Sequence, residues 1–343
     1  MIVNKKIKFQ YIKLLIYIVF IIVFSTFFKN YILLANQDSC IDYDCYEKRI
    51  INVLLLYDNE IFFDKEWEDN IKNRFDEINK FYYSNFKIEW RIIDKKQFKF
   101  DKNINSLSTL FTLHKSKIAK IIYNTKAEVV LGVIGRDIKG LGIAATFSNV
   151  VMVADSLKFK SFENSVVLAH EFGHLFGAWH TRRKNDFMLV SGAKQLLTSK
   201  ESNTILKLMR NYKFDPKILV NNDIILNRIS KLYNKHHAIG EIDPVARLLT
   251  DTGNKLYLNK EYKGALKLLI KSNEFFGRWG KTRMILSKTY YELGLYNKSF
   301  TELTRAMFFG SKPDTDLENN LKKKFIDLQK IDPTIKNPFN LDN

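Results

Sequence analysis

The segment HEFGHLFGAWH, residues 170–180, constrains this chain more than any other stretch, because it sets three imidazoles and one carboxylate at fixed offsets. His170 and His174 are four residues apart, so on a helix they lie one turn apart on the same face and can reach one metal ion. Glu171 follows the first histidine directly. This offset lets its carboxylate reach a metal-bound water rather than the metal, which is the arrangement that a general base requires.

Gly177 and His180 complete the pattern. Glycine permits the strained backbone that ends a helix and turns the chain back, so His180 can close a tripod of nitrogen ligands from outside the helix. Three nitrogen ligands and one open position describe a catalytic zinc site, whereas a structural site is closed by a fourth protein ligand, usually cysteine. The two cysteines of the chain, Cys40 and Cys45, lie far upstream of these histidines. The pattern therefore predicts a catalytic rather than a structural zinc site.

These residues match, position by position, the HExxHxxGxxH motif of the metzincin zinc metallopeptidases, and the chain resembles that family. A methionine follows eight residues after the last histidine, and metzincins place a methionine-containing turn beneath the metal. The resemblance implies one catalytic Zn²⁺, a peptide or protein substrate, and a role for each matching residue. It assigns the metal ligands to His170, His174 and His180, the general base to Glu171, and the hydrophobic floor of the site to Met188.

The elements predicted around the motif indicate one fold class. Apolar and alternating runs predict strands at residues 51–57, 86–93, 128–134 and 150–154, and amphipathic stretches predict helices at residues 64–83 and 107–123. Their order, with the motif-bearing helix after them, is that of a metzincin upper subdomain. The resemblance therefore implies an α+β catalytic domain over residues 50–213, with a mixed twisted sheet and an active-site helix.

A short glycine-rich and apolar segment precedes the motif-bearing helix. In metzincins the edge strand at this place binds substrate by pairing with the main chain of the peptide. The resemblance implies substrate-binding roles for Leu141, Gly142, Ile143 and Ala144. The alternative is an ordinary β-hairpin or loop that contacts no ligand.

The last third of the chain contains an internal repeat. Tyr262 and Tyr296 are 34 residues apart, and at the same offset apolar or small residues align in three further pairs: Tyr257 with Tyr291, Ala265 with Ser299, and Leu269 with Leu303. The two units resemble the tetratricopeptide repeat, in which small residues let the two helices of a hairpin approach closely. The resemblance implies a groove for a peptide or protein partner. The alternative is a helical buttress without a partner.

This repeat places an all-α domain over residues 246–330. A connecting segment over residues 214–245 is expected before it, and a tail over residues 331–343 after it. The histidine pair His236 and His237 is expected to lie in a solvated linker rather than in a second metal site.

The N-terminal 35 residues are predicted to be a signal-anchor or a signal peptide. Lysines precede an apolar stretch at residues 14–28, which indicates a cytoplasmic N-terminus and export of the remainder. An uncleaved segment would anchor the protein in a membrane with its catalytic domain outside the cytoplasm, whereas a cleaved one would give a secreted protein. In the extracytoplasmic linker at residues 36–49, Cys40 and Cys45 could form a local disulfide or keep the enzyme latent.

The net charge of +18 raises the question of a nucleic-acid partner. The basic residues are spread along the chain and no nucleic-acid-binding motif accompanies them, so we predict no nucleic-acid partner. Attraction to anionic membrane surfaces is the favoured consequence of the charge.

The favoured function is a zinc-dependent endopeptidase in which Glu171 activates the zinc-bound water. Two alternatives stay open at this point. One is a zinc aminopeptidase, because the motif sets the chemistry but not whether the cleft is open at both ends. The other is a membrane-tethered scaffold with tetratricopeptide-like repeats and a non-catalytic zinc site.

Overall fold

The computed structural model describes residues 47–58, 65–155, 161–190, 192–234 and 237–339. The predicted signal segment at residues 1–35 and the pair Cys40 and Cys45 lie outside the described residues, as does His236. Within the described ranges, no helix combines the length and the apolar character that a membrane span requires.

A mixed sheet forms the first half of the structure. Within the described residues it has five strands in the order β2-β1-β3-β5-β4, as the fold class predicted. They are β1 (Arg49–Asp58), β2 (Ile88–Phe98), β3 (Val129–Ile134), β4 (Gly142–Ala144) and β5 (Val150–Ala154). Neighbouring strands run parallel, except that β4 pairs antiparallel with β5. The buried sequences VVLGVI and VVMVA of β3 and β5 suit parallel strands that are covered on both faces.

Three helices cover the two faces of the sheet: α1 (Lys65–Phe86), α2 (Leu107–Ile121) and α3 (Ser161–Leu175). Alternate residues of a strand point to opposite faces, so Val53 and Leu55 of β1 join one hydrophobic core while Leu54 and Leu56 join another. The first core packs against α1 and α3, and the second packs against α2. These positions place α3, which carries the motif, beside the edge strand β4.

Helices make up the second half: α4 (Lys200–Met209), α5 (Pro216–Leu219), α6 (Asp223–Tyr233), α7 (Pro244–Leu258), α8 (Tyr262–Phe275), α9 (Gly280–Glu292), α10 (Tyr296–Phe308) and α11 (Thr315–Ile331). The segment predicted as a connection, residues 214–245, forms α5 and α6. The core that contains α3 continues through Leu226 and Ile229 of α6 to Val245 at the start of α7. The proposed connection is therefore part of the packed structure, while the exact domain limits stay a prediction.

The predicted repeat is visible as two helical hairpins, α7 with α8 and α9 with α10. The turn of each hairpin has a residue with a left-handed backbone, Lys260 (φ 64°) in the first and Gly294 (φ 73°) in the second. The same tyrosine pair packs at each turn, with ring centroids 5.7 Å apart in the first and 5.5 Å apart in the second. These equivalent positions are 34 residues apart, as the sequence predicted. The tetratricopeptide character of the hairpins stays a prediction.

Candidate active site

Helix α3 carries the first part of the motif and ends in a glycine turn. Gly177 has a φ of +87°, and a Cβ at this position would lie 2.1 Å from the ring of Phe147. Only glycine combines this backbone conformation with so little space. The turn brings the chain back, so that His180 approaches His170 and His174 from outside the helix.

The three predicted ligands converge in the structure. The ring centroids of His170, His174 and His180 are 4.8 to 5.2 Å apart. One nitrogen from each ring can be chosen so that the three atoms lie within 4.8 Å of one another, which is an arrangement that can hold a metal ion. Imidazole nitrogens are the ligands expected of a catalytic zinc site.

Each of the three rings is held through its Nδ1 atom. The Nδ1 atoms of His170 and His174 lie 2.8 Å from the carbonyl oxygens of Phe187 and Ala178. The Nδ1 atom of His180 lies 2.8 Å from a carboxylate oxygen of Glu241. Three Nδ1–H groups donating to oxygens leave the lone pairs of the three Nε2 atoms available to a metal ion.

Burial keeps the first two histidines neutral. It lowers the pKa of His170 to about 4 and the pKa of His174 well below its usual value. A neutral imidazole is the form that binds a metal. The donor set and its protonation state therefore fit a metal ion such as zinc.

Glu171 lies beside the ligands and is 6% exposed. Among the described residues its Oε2 atom has no hydrogen-bond partner, while its carboxylate accepts a hydrogen bond from the backbone N–H of Ala144. Burial raises the pKa of Glu171 to about 8. A buried carboxylate with a free oxygen beside a metal site has the features of a general base.

The methionine turn lies under helix α3. Met188 is fully buried, and a Cβ on Gly173 would lie 2.7 Å from its sulfur. Asp186 organises the turn: its carboxylate accepts hydrogen bonds from the Met188 backbone N–H at 3.1 Å and from the hydroxyls of Thr181 at 3.2 Å and Ser202 at 2.8 Å. The turn thus fixes the carbonyl of Phe187, which in turn orients His170.

The predicted substrate-binding residues lie at the edge of the sheet. Gly142, Ile143 and Ala144 form β4, whose outer side carries no further strand in the described part of the chain. Leu141 precedes the strand and is exposed. A Cβ on Gly142 would lie 2.6 Å from the Glu171 carboxylate, so the backbone of β4 passes directly against the candidate base. Ile143 packs instead against the core beneath α2.

Two residues that orient the site were not assigned a role from the sequence. Asp186 stands two positions before Met188, and its burial could have been suspected from that place in the turn. Glu241 gives no such signal, because it follows His180 by 61 residues and no motif spacing connects them.

Comparisons with known proteins agree with this geometry. Residues 47–205 match the family model Reprolysin_5, described as Metallo-peptidase family M12. A search of curated proteins found no match for the chain.

Three solved structures are among those that match part of the chain. A chaperone-substrate complex shares 12% identity at a TM-score of 0.39, over 49% of this chain and 35% of that chain. The archaemetzincin of Methanopyrus kandleri shares 16% identity at a TM-score of 0.36, over 47% of this chain and 96% of its own. Metalloproteinase-II from Bacteroides fragilis shares 16% identity at a TM-score of 0.35, over 47% of this chain and 54% of its own. The chain spans about a third of the length of the first of these structures.

Proposed function

Since residues 47–205 match the family model of the M12 metallopeptidases, we propose that this protein is a metzincin-like zinc endopeptidase with Glu171 as its general base. One observation carries the proposal: three imidazoles converge, and the buried carboxylate that follows the first of them lies against the edge strand of the sheet. The substrate would be a peptide or a protein.

The residues of the chain divide the chemistry among them. Zinc held by the three imidazoles would polarise the scissile carbonyl and make a water molecule a stronger nucleophile near neutral pH. Glu171 would take a proton from the attacking water and pass it to the leaving nitrogen, while the remaining hydroxide adds to the carbonyl carbon. Hydrolysis is then balanced without any further reactant.

Strand β4 would hold the substrate. Its outer edge offers backbone C=O groups, and N–H groups other than that of Ala144, to an extended peptide, which would bind as a further strand beside Glu171. Main-chain pairing along Leu141, Gly142, Ile143 and Ala144 requires no free peptide terminus. We therefore favour an endopeptidase over an aminopeptidase.

The experiment uses the full chain, a mixed peptide library and mass spectrometry. The wild-type chain should cut peptides at internal bonds, lose activity when a chelator removes its metal, and regain it with Zn²⁺. The variant His174→Ala should lose both metal and cleavage. Cleavage that persists in the metal-free protein would contradict the proposal, and products lacking only N-terminal residues would indicate the aminopeptidase.

A scaffold with a non-catalytic metal is the second candidate, and the helical hairpins favour it. It would require a fourth protein ligand, and the described residues contain a cluster of three histidines without a fourth member. A wild-type chain that binds zinc but cuts no member of the library would favour the scaffold.

Two further proposals rest on sequence alone. Residues 1–35 would attach the protein to a membrane with its catalytic half outside the cytoplasm, or direct its secretion. The helical hairpins would bind a protein partner. Fractionation of cells that express the full chain tests the first proposal, because a membrane-anchored protein sediments with membranes whereas a secreted one is recovered from the medium.

A further inference from the structure

Of the three candidate ligands, His180 is held differently from the others. The Nδ1 atoms of His170 and His174 contact backbone carbonyls within the M12 segment, whereas the Nδ1 atom of His180 contacts the carboxylate of Glu241 at 2.8 Å. Glu241 lies between α6 and α7, beyond the end of the matched segment at residue 205. The helical half therefore supplies the partner of the third ligand.

Several contacts fix Glu241 in this position. The hydroxyl of Tyr233 donates to the Glu241 carbonyl at 2.6 Å, and the backbone N–H of Glu241 donates to the carbonyl of Ala238 at 3.2 Å. The N–H of Ala238 donates in turn to the carbonyl of His180 at 3.0 Å. Backbone and side chain of His180 are thus held by the same short segment, which is anchored where Tyr233 packs against Trp179.

The second carboxylate oxygen of Glu241 faces a side chain of the helical hairpins. The guanidinium of Arg247, in the first turn of α7, lies 3.9 Å from Oε1 of Glu241. The same guanidinium lies 5.9 Å from the centre of the Trp279 ring, which precedes α9. One carboxylate oxygen of Glu241 therefore contacts the candidate ligand His180, and the other faces Arg247, which contacts the second hairpin.

We propose that Glu241 is a positioning residue of the metal centre, through which the helical half sets how tightly the site holds its metal. The inference rests on the proposed function for the identity of the ligands. A hydrogen bond from imidazole to a carboxylate is charge-assisted, so it is stronger than one to a carbonyl. Such a partner fixes the tautomer and the orientation of the ring and raises the basicity of the coordinating nitrogen.

The test measures zinc affinity in the full chain by competition with a chromophoric chelator. Glu241→Ala should weaken zinc binding by about 10- to 100-fold, in the range that outer partners of metal ligands usually contribute. Glu241→Gln should lie between this variant and the wild type, because its amide oxygen still accepts a hydrogen bond but carries no charge. Unfolding of the metal-free proteins is measured in parallel, so that a loss of fold is not counted as a loss of affinity.

The matched control is Asp251→Asn. Asp251 is an acidic residue of α7 that pairs with Lys281 at 2.7 Å on the exposed surface. Its variant removes the same charge from the same half of the molecule and should bind zinc like the wild type. If the alanine variant of Glu241 does not fold, the zinc affinity of the isosteric variant Glu241→Gln is compared with that of Asp251→Asn, and a lower affinity in Glu241→Gln supports the proposal.

The outcomes separate this inference from the proposed function. A folded Glu241 variant that binds zinc as tightly as the wild type would overturn the inference alone. A wild type that binds zinc more tightly than its Glu241 variants but cuts no peptide would overturn the peptidase alone. A wild type that binds no zinc would overturn both.

Discussion

The two halves of the molecule are stabilised in different ways. In the half that contains the sheet (the sheet half), large hydrophobic cores fill both faces of the sheet, and the stacked rings of Trp90 and Phe172 have centroids 3.9 Å apart. The helical hairpins have small hydrophobic clusters and buried polar contacts between helices. The hydroxyl of Thr250, for example, lies 2.7 Å from those of Ser272 and Thr282.

This difference indicates how changes spread in each half. A continuous core transmits a local change to the whole domain, because closely packed side chains have little free space. Helical hairpins contact mainly their neighbours, so a change in one is felt most in the next. We expect the metal site to tolerate changes near α11 better than changes of similar size near α3.

A pair of core truncations tests this contrast with the largest expected effect. Phe176→Ala in the sheet half and Phe325→Ala in α11 each remove a fully buried ring and should each cost about 3–5 kcal/mol of unfolding free energy. Hydrogen exchange should increase throughout the sheet half in the first variant, but mainly in α10 and α11 in the second. Equal spreading of exchange in both variants would show that the halves do not differ in this way.

The buried ion pair of the hairpins gives the next largest effect. Arg283 donates to Glu302 at 2.7 Å, and both side chains are about a tenth exposed. Glu302→Ala should destabilise the protein by about 3 kcal/mol in chemical denaturation, because it leaves a buried guanidinium without its partner. Asp251→Ala breaks the exposed pair with Lys281 and should cost less than about 1 kcal/mol. Similar losses of unfolding free energy in the two variants would show that burial does not determine how much an ion pair stabilises the protein.

Two glycines with positive φ give the smallest expected difference between two variants, and they are also the most closely matched pair. Gly177 and Gly294 both have positive φ, but only Gly177 has an aromatic ring, that of Phe147, in the space of a Cβ. Gly294→Ala should cost about 1 kcal/mol for the backbone alone, whereas Gly177→Ala should cost about 1–3 kcal/mol more for overpacking and should also weaken zinc binding. Thermal unfolding with and without zinc measures both quantities. Equal costs would show that the ring of Phe147 moves aside freely.

The sequence predicts the convergence of the candidate metal ligands because their geometry is local. His170 and His174 lie on one face of a helix whatever surrounds it, and Gly177 determines where that helix ends. Four strands of the sheet, β1, β2, β3 and β5, are predictable for the same reason, since their apolar or alternating runs decide their burial, whereas β4 was expected only from the family resemblance. The helical hairpins follow from a repeat that recurs at a fixed offset.

The remainder of the site depends on packing between distant segments. Glu241 reaches His180 because Tyr233 of α6 packs on Trp179, and no local pattern contains that contact. The same packing explains why the segment predicted as a connection contains the helices α5 and α6, which pack into the core. Strand β2 is another such case, since pairing with β1 extends it to Phe98, beyond the predicted end at residue 93.

The most direct test of the account compares zinc content and peptide hydrolysis in the wild type and in Glu171→Gln. Glutamine has nearly the shape of glutamate but cannot accept the proton of the attacking water, so its variant should keep one zinc per chain. Hydrolysis should fall by about 10²–10⁴-fold, the usual contribution of a general base. Retention of zinc with hydrolysis at the wild-type rate would contradict the assignment of Glu171 as the base.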